Sequence, residues 1–585
     1  MANSCTSLRV MRIRTVVLGL LAAAAAGASC EGRPPETAPL VSEALAPAVQ
    51  TIARLHWLGK KGLAAQTNAA GLMALWNLPE SAKLEAQTLD KLARALAHWP
   101  PTNPTPTLNP QPLTSLIRPL LEDLLCRESY LEVRQAGAQP CELALAIRLD
   151  PQRAALWETN LSATIPAITG APPDSARDRL RTWQLPVTHQ AARATIHLSL
   201  TRAGDWTLLG LASDPNPLLG EFAARIQRGH DPFQAPATND WLETEFNPRR
   251  LAAALALDWP LPENLAQVSF SAGGDGATVL EHAQLNFAKP LSLKLEPWTL
   301  PAPLMAGQIA GFTAVRGLEP WLASLKAWND LHIGSPPNQA YLWALQGLPV
   351  LTFFAAPHPD ASNQVSRLSD LALQKCSPWF ATNPLAAFQK AKDLNGLQWK
   401  GFPYIYPFLK SITLENHSFV FAGLFPPPGA TNSSSSIPPD LLNHLENQKN
   451  LVAYGWELTA PRVQGWIPIG QTLRLVAQRA QLPPLSAALT WLRAASPKLW
   501  PSVTEVTQTA PGQLSLKRRS SLGLTAVELH LLADWLESPQ FPHGLHTLLA
   551  PPPDASQAPV PAPPPRPGKQ PRFPARRPPG GLPPG

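Results

Sequence analysis

Leu143-Ala144-Leu145-Ala146-Ile147-Arg148-Leu149-Asp150-Pro151 decides the reading of this chain. The first seven residues form an apolar run of strand length, and Asp150-Pro151 then opens a helix through Leu156-Trp157. Asp at the N-cap accepts a hydrogen bond from an orphan backbone N–H, and Pro at the first helical position has no N–H to lose. The same grammar recurs three times. Residues 242–246 lead into Asn247-Pro248 and a helix over 249–257. Residues 312–316 lead into Glu319-Pro320 and a helix over 321–328, and residues 451–458 lead into Thr459-Ala460-Pro461 and a shorter helix. The irregular spacing excludes a solenoid of fixed period. Strands that feed capped helices predict an α+β fold.

A fainter regularity spans more of the chain. Residues 195–211 followed by 241–246 resemble residues 404–424 followed by 451–458. Each stretch offers two strands, a helical insert, a strand and a capped helix. Either two similar α+β domains result, or two α+β stretches coincide by chance. Residues 273–276 (Gly-Gly-Asp-Gly) read as a hairpin turn, where glycine tolerates positive φ, and not as a nucleotide fingerprint.

Upstream, residues 40–99 read as helices: Leu84, Leu89, Leu92 and Leu96 fall near one helical face, with Ser81 as an N-cap. Pro100-Pro101 ends that helix. The expected layout is a signal peptide over 1–29, a helical N-terminal segment over 30–99 and a Pro-rich linker over 100–113. A first α+β domain follows over 114–290, a middle α+β segment over 291–400 and a second α+β domain over 401–550. A basic tail over 551–585, with 15 prolines, should stay disordered with polyproline character. Within the middle segment, residues 341–356 read as a short helix followed by the strand 350–355. Residues 426–439 read as a surface loop.

The N-terminus carries the export reading. Arg9, Arg12 and Arg14 precede an uncharged apolar run from Thr15 to Ser29, too short to span a bilayer comfortably. Gly27-Ala28-Ser29-Cys30 resembles a bacterial lipobox, which would make Cys30 a lipidated N-terminus, although the family usually has Leu where Gly27 stands. Cleavage after Ala28 by ordinary signal peptidase is the competing reading, and Met11 would also serve as a start.

The formal charge of +7 comes from +3 over residues 1–29 and +4 over residues 551–585, so the body is neutral. A phosphate-tracking groove needs clustered cations on a folded face, so no nucleic-acid partner is expected. Of five cysteines, Cys126, Cys141 and Cys376 remain after the export segment. Cys126 and Cys141 either close a disulfide loop of about 15 residues or stay as thiols.

No H-E-x-x-H, G-x-S-x-G, S-x-x-K or Walker A sequence occurs, and no cofactor or metal is expected. His358-Pro359-Asp360 follows a strand and supplies the catalytic candidates, His358 and Asp360, against the plainer reading of a solvated turn. Gly229-His230-Asp231-Pro232 reads as an ordinary helix end. Nineteen tryptophans against five tyrosines would suit sugar or peptide stacking, although core packing is the default for most. Residues 291–338 are dense in Trp and Pro, so a cleft is expected between them and the strand leading to His358.

These readings predict a lipid-anchored protein of a bacterial envelope, or a secreted one, that binds or scaffolds without catalysis. Its expected partners are a membrane through the lipid on Cys30 and an anionic envelope polymer through the tail. The alternatives are an exported hydrolase of glycans or peptides, and a self-assembling structural protein.

Overall fold

The computed structural model describes residues 49–97, 111–136, 141–169, 173–177, 180–189, 192–212, 216–232, 240–255, 262, 264–305, 307–331, 334–347, 351–380, 387–390, 396–400, 407–425, 439–476, 485–539 and 541–542. The export segment with Cys30, the linker up to residue 110, the loop 426–438 and the tail lie outside these residues. The fold is mixed α+β, built on a 20-stranded sheet in which every pairing given is antiparallel.

The first ten strands come in this order. β1 (Val49–Trp57) leads through α1 (Gly59–Ala64), α2 (Ala70–Trp76), α3 (Pro79–Ala97) and α4 (Gln111–Cys126) to β2 (Ser129–Ala136) and β3 (Glu142–Arg148). After α5 (Pro151–Thr169) come β4 (Pro173–Arg177), β5 (Leu180–His189), β6 (Ala192–Ala203) and β7 (Trp206–Ala212). Then follow α6 (Pro217–Gln227), β8 (Leu242–Phe246), α7 (Pro248–Leu255), β9 (Leu265–Gly274) and β10 (Val279–Phe287).

The second ten repeat that grammar. β11 (Ile309–Arg316) leads through α8 (Leu318–Ser324) and α9 (Lys326–Leu331) to β12 (Gln339–Leu345) and β13 (Thr352–Pro357). After α10 (Ala361–Phe380) come β14 (Ala387–Lys390), β15 (Leu397–Lys400), β16 (Phe408–Leu414) and β17 (His417–Gly423). Then follow α11 (Pro439–Asn447), β18 (Leu451–Glu457), α12 (Thr459–Val476), α13 (Ala487–Ala495), β19 (Ser502–Ala510), β20 (Gln513–Ser520) and α14 (Ala526–Glu537).

Hydrogen-bonded pairing gives the spatial order β4-β5-β6-β7-β3-β2-β1-β8-β9-β10, then β20-β19-β18-β11-β12-β13-β17-β16-β15-β14. The second run is the first read backwards with each strand number raised by ten. The two runs meet at β10 and β20, paired from Val279↔Ser520 to Asn286↔Gln513.

Side-chain alternation then sorts the cores by face. Leu55, Leu131, Leu145 and Leu209 form one row across β1, β2, β3 and β7, and pack with Trp157 of α5. Following the register through β8, β9, β10, β20, β19 and β18 carries the face of Leu55 to Val315. The second large core therefore lies on the other face. It holds Ala314, Tyr341, Ala355 and Phe421, capped by Leu441 and Leu445 of α11. Helix placement also repeats. α10 sits on the α5 side through Val365 and Val420, and α6 sits on the α11 side through Leu218 and Phe222.

The first two capped helices form as read: Arg153 N donates to Asp150 Oδ1 at 2.9 Å, and Arg250 N to Asn247 Oδ1 at 3.0 Å. The third copy starts differently. Gly317, in the left-handed region at φ 77°, is the N-cap and Glu319 falls in the first turn. In the fourth copy the helix is 18 residues long, not short.

The expected helical N-terminal segment begins instead with β1, whose residues alternate between faces and pair with both β2 and β8. Ser81 lies inside α3 and donates to Leu75 O at 2.7 Å, so it closes the preceding helix. The expected linker ends earlier than residue 113, since α4 starts at Gln111. The helix expected from residue 341 is the strand β12, because Tyr341 and Trp343 alternate into the core with Leu342 facing out. The boundary at residue 400 falls between β15 and β16, which pair, so residues 291–400 are no separate segment.

Candidate functional site

The strand ends are where the sequence places its catalytic candidates. His358 follows β13, and its backbone N–H donates to Ser418 O at 2.9 Å. The ring is buried, and both nitrogens are engaged. Nδ1 accepts the backbone N–H of Asp360 at 3.0 Å. That leaves Nε2 to carry the proton toward Ser335 O at 3.2 Å, with Ser335 Oγ at 3.1 Å. Gln364 fastens the same loop by donating to Ser335 O at 3.2 Å. The Asp360 carboxylate points elsewhere: it is exposed and accepts from Asn363 Nδ2 at 2.9 Å. His358 and Asp360 thus share a backbone contact and no proton or metal position. Residues 291–338, where a cleft against this strand end is expected, reach it at Ser335 through hydrogen bonds.

Arg148, at the end of β3, stands opposite Trp206. Around Arg148 the structure assembles a cluster that sequence reading misses. His56 Nε2 lies 3.3 Å from Glu128 Oε1, and its ring stacks on Tyr130 at 4.2 Å with 5° between planes. Arg148 donates to Glu128 Oε2 at 2.7 Å and lies over the Trp206 ring at 5.0 Å. Tyr130 meets Trp206 edge-on at 5.4 Å.

Burial raises the Glu128 carboxyl, but the hydrogen bond from His56 and the charge of Arg148 together outweigh it and hold the group below its ordinary range. Burial first, then the Glu128 charge, pushes the Tyr130 phenol far above its ordinary value. Glu128 therefore stays ionised and Tyr130 stays protonated, and the cluster holds its charges in fixed places. The Arg148 side chain is 54% exposed and is the part open to solvent. These residues are far apart in sequence, so no local spacing signals them.

Two other arrangements concentrate polar groups. Glu132, fully buried on β2, accepts from Thr51 at 3.2 Å, from Arg54 at 3.3 Å and from Arg134, which also reaches Glu221 of α6 at 2.9 Å. Arg316, only 3% exposed, donates to four backbone carbonyls: Leu451 at 2.7 Å, Glu296 at 2.8 Å, Lys449 at 2.8 Å and Gln448 at 3.1 Å. Its guanidinium lies 4.6 Å from the Trp298 ring centre. Burial pulls it below its ordinary value, yet a guanidinium stays charged.

Cys126 and Cys141 are thiols in the structure, not a disulfide. Cys126 precedes the Ser129↔Ile147 end of the β2–β3 hairpin and Cys141 precedes the Arg134↔Glu142 end. At about 3.4 Å per residue, roughly 20 Å of strand separates them, whereas a bridge needs Cα atoms within about 7 Å. Gly229 (φ 78°) ends α6 as read, with Gly229 N donating to Ile226 O and His230 N to Arg225 O. Among the described residues no group of three or more His, Cys, Asp and Glu is placed to hold a metal. Among them, no helix is long and apolar enough to cross a membrane.

No protein-family model matches the chain, and no curated protein does. One similar solved structure is described as crystal form III of TP0453. It has 9% sequence identity, covering 40% of this chain and 99% of that one, and a TM-score of 0.18 that defines no shared fold.

Proposed function

We propose that this chain is an exported, lipid-tethered bacterial envelope protein that binds or scaffolds another envelope component without catalysis. The observation that carries this reading is the N-terminal sequence: three arginines, a short apolar run and Cys30 in a lipobox-like setting. The strand end is consistent with it, because His358 spends its ring nitrogens on the Asp360 amide and on the Ser335 loop, and the Asp360 carboxylate turns away from it. The basic tail adds a contact with anionic polymer by screened attraction.

The two ten-strand halves descend from one duplicated unit. The repeated strand order, the repeated helix faces and the meeting of equivalent strands at β10 and β20 support that descent. An ancestral homodimer joined at this strand would pair the same two edges, because a two-fold interface puts one element against its own copy.

Crosslinking in the native envelope, with mass spectrometry of what is recovered, tests the function. A specific partner and an acylated Cys30 peptide are expected. An unmodified mature N-terminus with no retained partner would refute the tethered reading. Deleting residues 551–585 should weaken envelope retention at low salt, and unchanged retention would remove the tail from the account.

A further inference from the structure

Glu281 of β10 sits at the seam between the halves, on the face of Arg518 and Ala272, its register partners on β20 and β9. Its side chain is 14% exposed, and the nearest cation, Arg518 Nη1, is 3.7 Å away, beyond hydrogen-bond range. That cation is already committed. Arg518 Nε donates to Thr504 Oγ1 at 3.0 Å, and Nη1 donates to Gly523 O at 3.0 Å. The two terminal nitrogens also grip Glu528 at 2.9 and 3.1 Å. Glu528 is fixed in turn as the third residue of α14, in a capping box with Thr525.

Gly523, at φ 75°, lets the turn pass so close that a Cβ there would collide with Glu281 Oε1. Among the described residues nothing else facing the carboxyl is charged: β9 brings Ala272, β19 brings Thr504, and α2, which covers this corner through Met73, has no ionisable side chain. Glu281 is thus a buried acid whose one cationic neighbour belongs to another carboxylate.

We propose that the seam is a proton-sensitive joint: a protonated Glu281 closes β10 against β20 and the turn before α14, and its ionisation loosens that contact. Burial first, with the Glu528 charge adding and Arg518 opposing, pushes the Glu281 carboxyl up to about 7 from 4.5. The folded protein therefore holds a proton that the opened seam releases. Between pH 4.5 and about 7 the stability of the seam falls as pH rises, and above that window the loss is complete. Tenfold per unit sets a ceiling of about 300-fold on the opening equilibrium.

Hydrogen exchange on the full chain at pH 5 and pH 8, corrected for intrinsic rates, tests the joint. The amides of β10 and β20 should lose at least about tenfold in protection at pH 8, while those of β2 and β3 keep theirs. E281Q, which keeps the shape and cannot ionise, should show seam protection independent of pH. E528Q keeps a capping-box residue but frees Arg518 for Glu281, so the change should move to lower pH. Seam protection that does not respond to pH in the wild type would overturn the proposal, as would an undiminished response in E281Q.

Discussion

Replacing Arg316 by Met removes a cation that holds three pieces of chain together. Its guanidinium ties the end of β11 to Glu296 in the segment before that strand, to Gln448 and Lys449 between α11 and β18, and to Leu451 at the start of β18. Methionine fills much of the volume and donates nothing, so four carbonyls each lose a donor, although Gln448 O keeps the Leu451 N–H. A hydrogen bond from a charged donor contributes about 1.5–3 kcal/mol, but carbonyls near solvent recover part of that from water. With the lost ring contact to Trp298, worth about 1 kcal/mol, the expected net cost of R316M is about 4 kcal/mol. At about 2–4 °C per kcal/mol for a domain of 150–250 residues, melting should fall by about 10 °C. Exchange protection should drop first at residues 448–451 and 296–299. R316K separates charge from geometry, because an ammonium cannot fan four N–H bonds over carbonyls set this far apart. It should melt no higher than R316M. A melting point for R316M within about 2 °C of wild type would refute the clamp, as would full rescue by R316K.

Three further outcomes follow from the strand ends. His358→Ala should cost about 1–3 kcal/mol by stranding the Asp360 amide and the Ser335 groups, while Asp360→Ala should stay within about 0.5 kcal/mol; equal losses in chemical denaturation would contradict the assigned bonds. Glu128 has a folded value below its ordinary one, so its stabilisation is present above the ordinary value and is lost as pH falls through the folded value. Urea midpoints of Glu128→Gln should therefore fall less steeply below pH 4.5 than those of wild type. Alkylation of the unreduced, denatured protein should label both Cys126 and Cys141, and a peptide pair linked through them would contradict the hairpin geometry.

What could be read in the sequence was local. Asp150 and Asn247 announce their helices because the cap and the proline act within one turn. The turn at Asp275 was equally legible, its carboxylate accepting from Ala277 N at 3.0 Å and Thr278 N at 2.7 Å. The strands β1 and β12 were not, because a few alternating apolar residues beside helix formers fit either period. Nor was the order of the sheet: β1 lies between β2 and β8, and the choice of β8 depends on packing with residues nearly two hundred positions away. The His56, Glu128 and Arg148 cluster shares that origin. Its members become neighbours only after β1, β2 and β3 align. His358 was found for its residue type and neighbours, and the structure gives that type a packing role.

The seam also sets the order in which the chain can finish folding. Every strand of the first half except β10 finds its partners within that half. β10 has β9 on one side, and its other edge waits for β20; Ser515, which meets His282 across the seam at 3.0 Å, is 233 residues further on. Until then the first half carries an open strand edge, with Leu285 and Ala283 on one face of it, and such an edge is a template for the wrong chain. The long-range pairing that closes it is also the slowest kind to form. A chain that stalls between the halves should therefore pair through β10 with another copy of itself, so misassembly should depend on concentration and on how quickly the second half arrives.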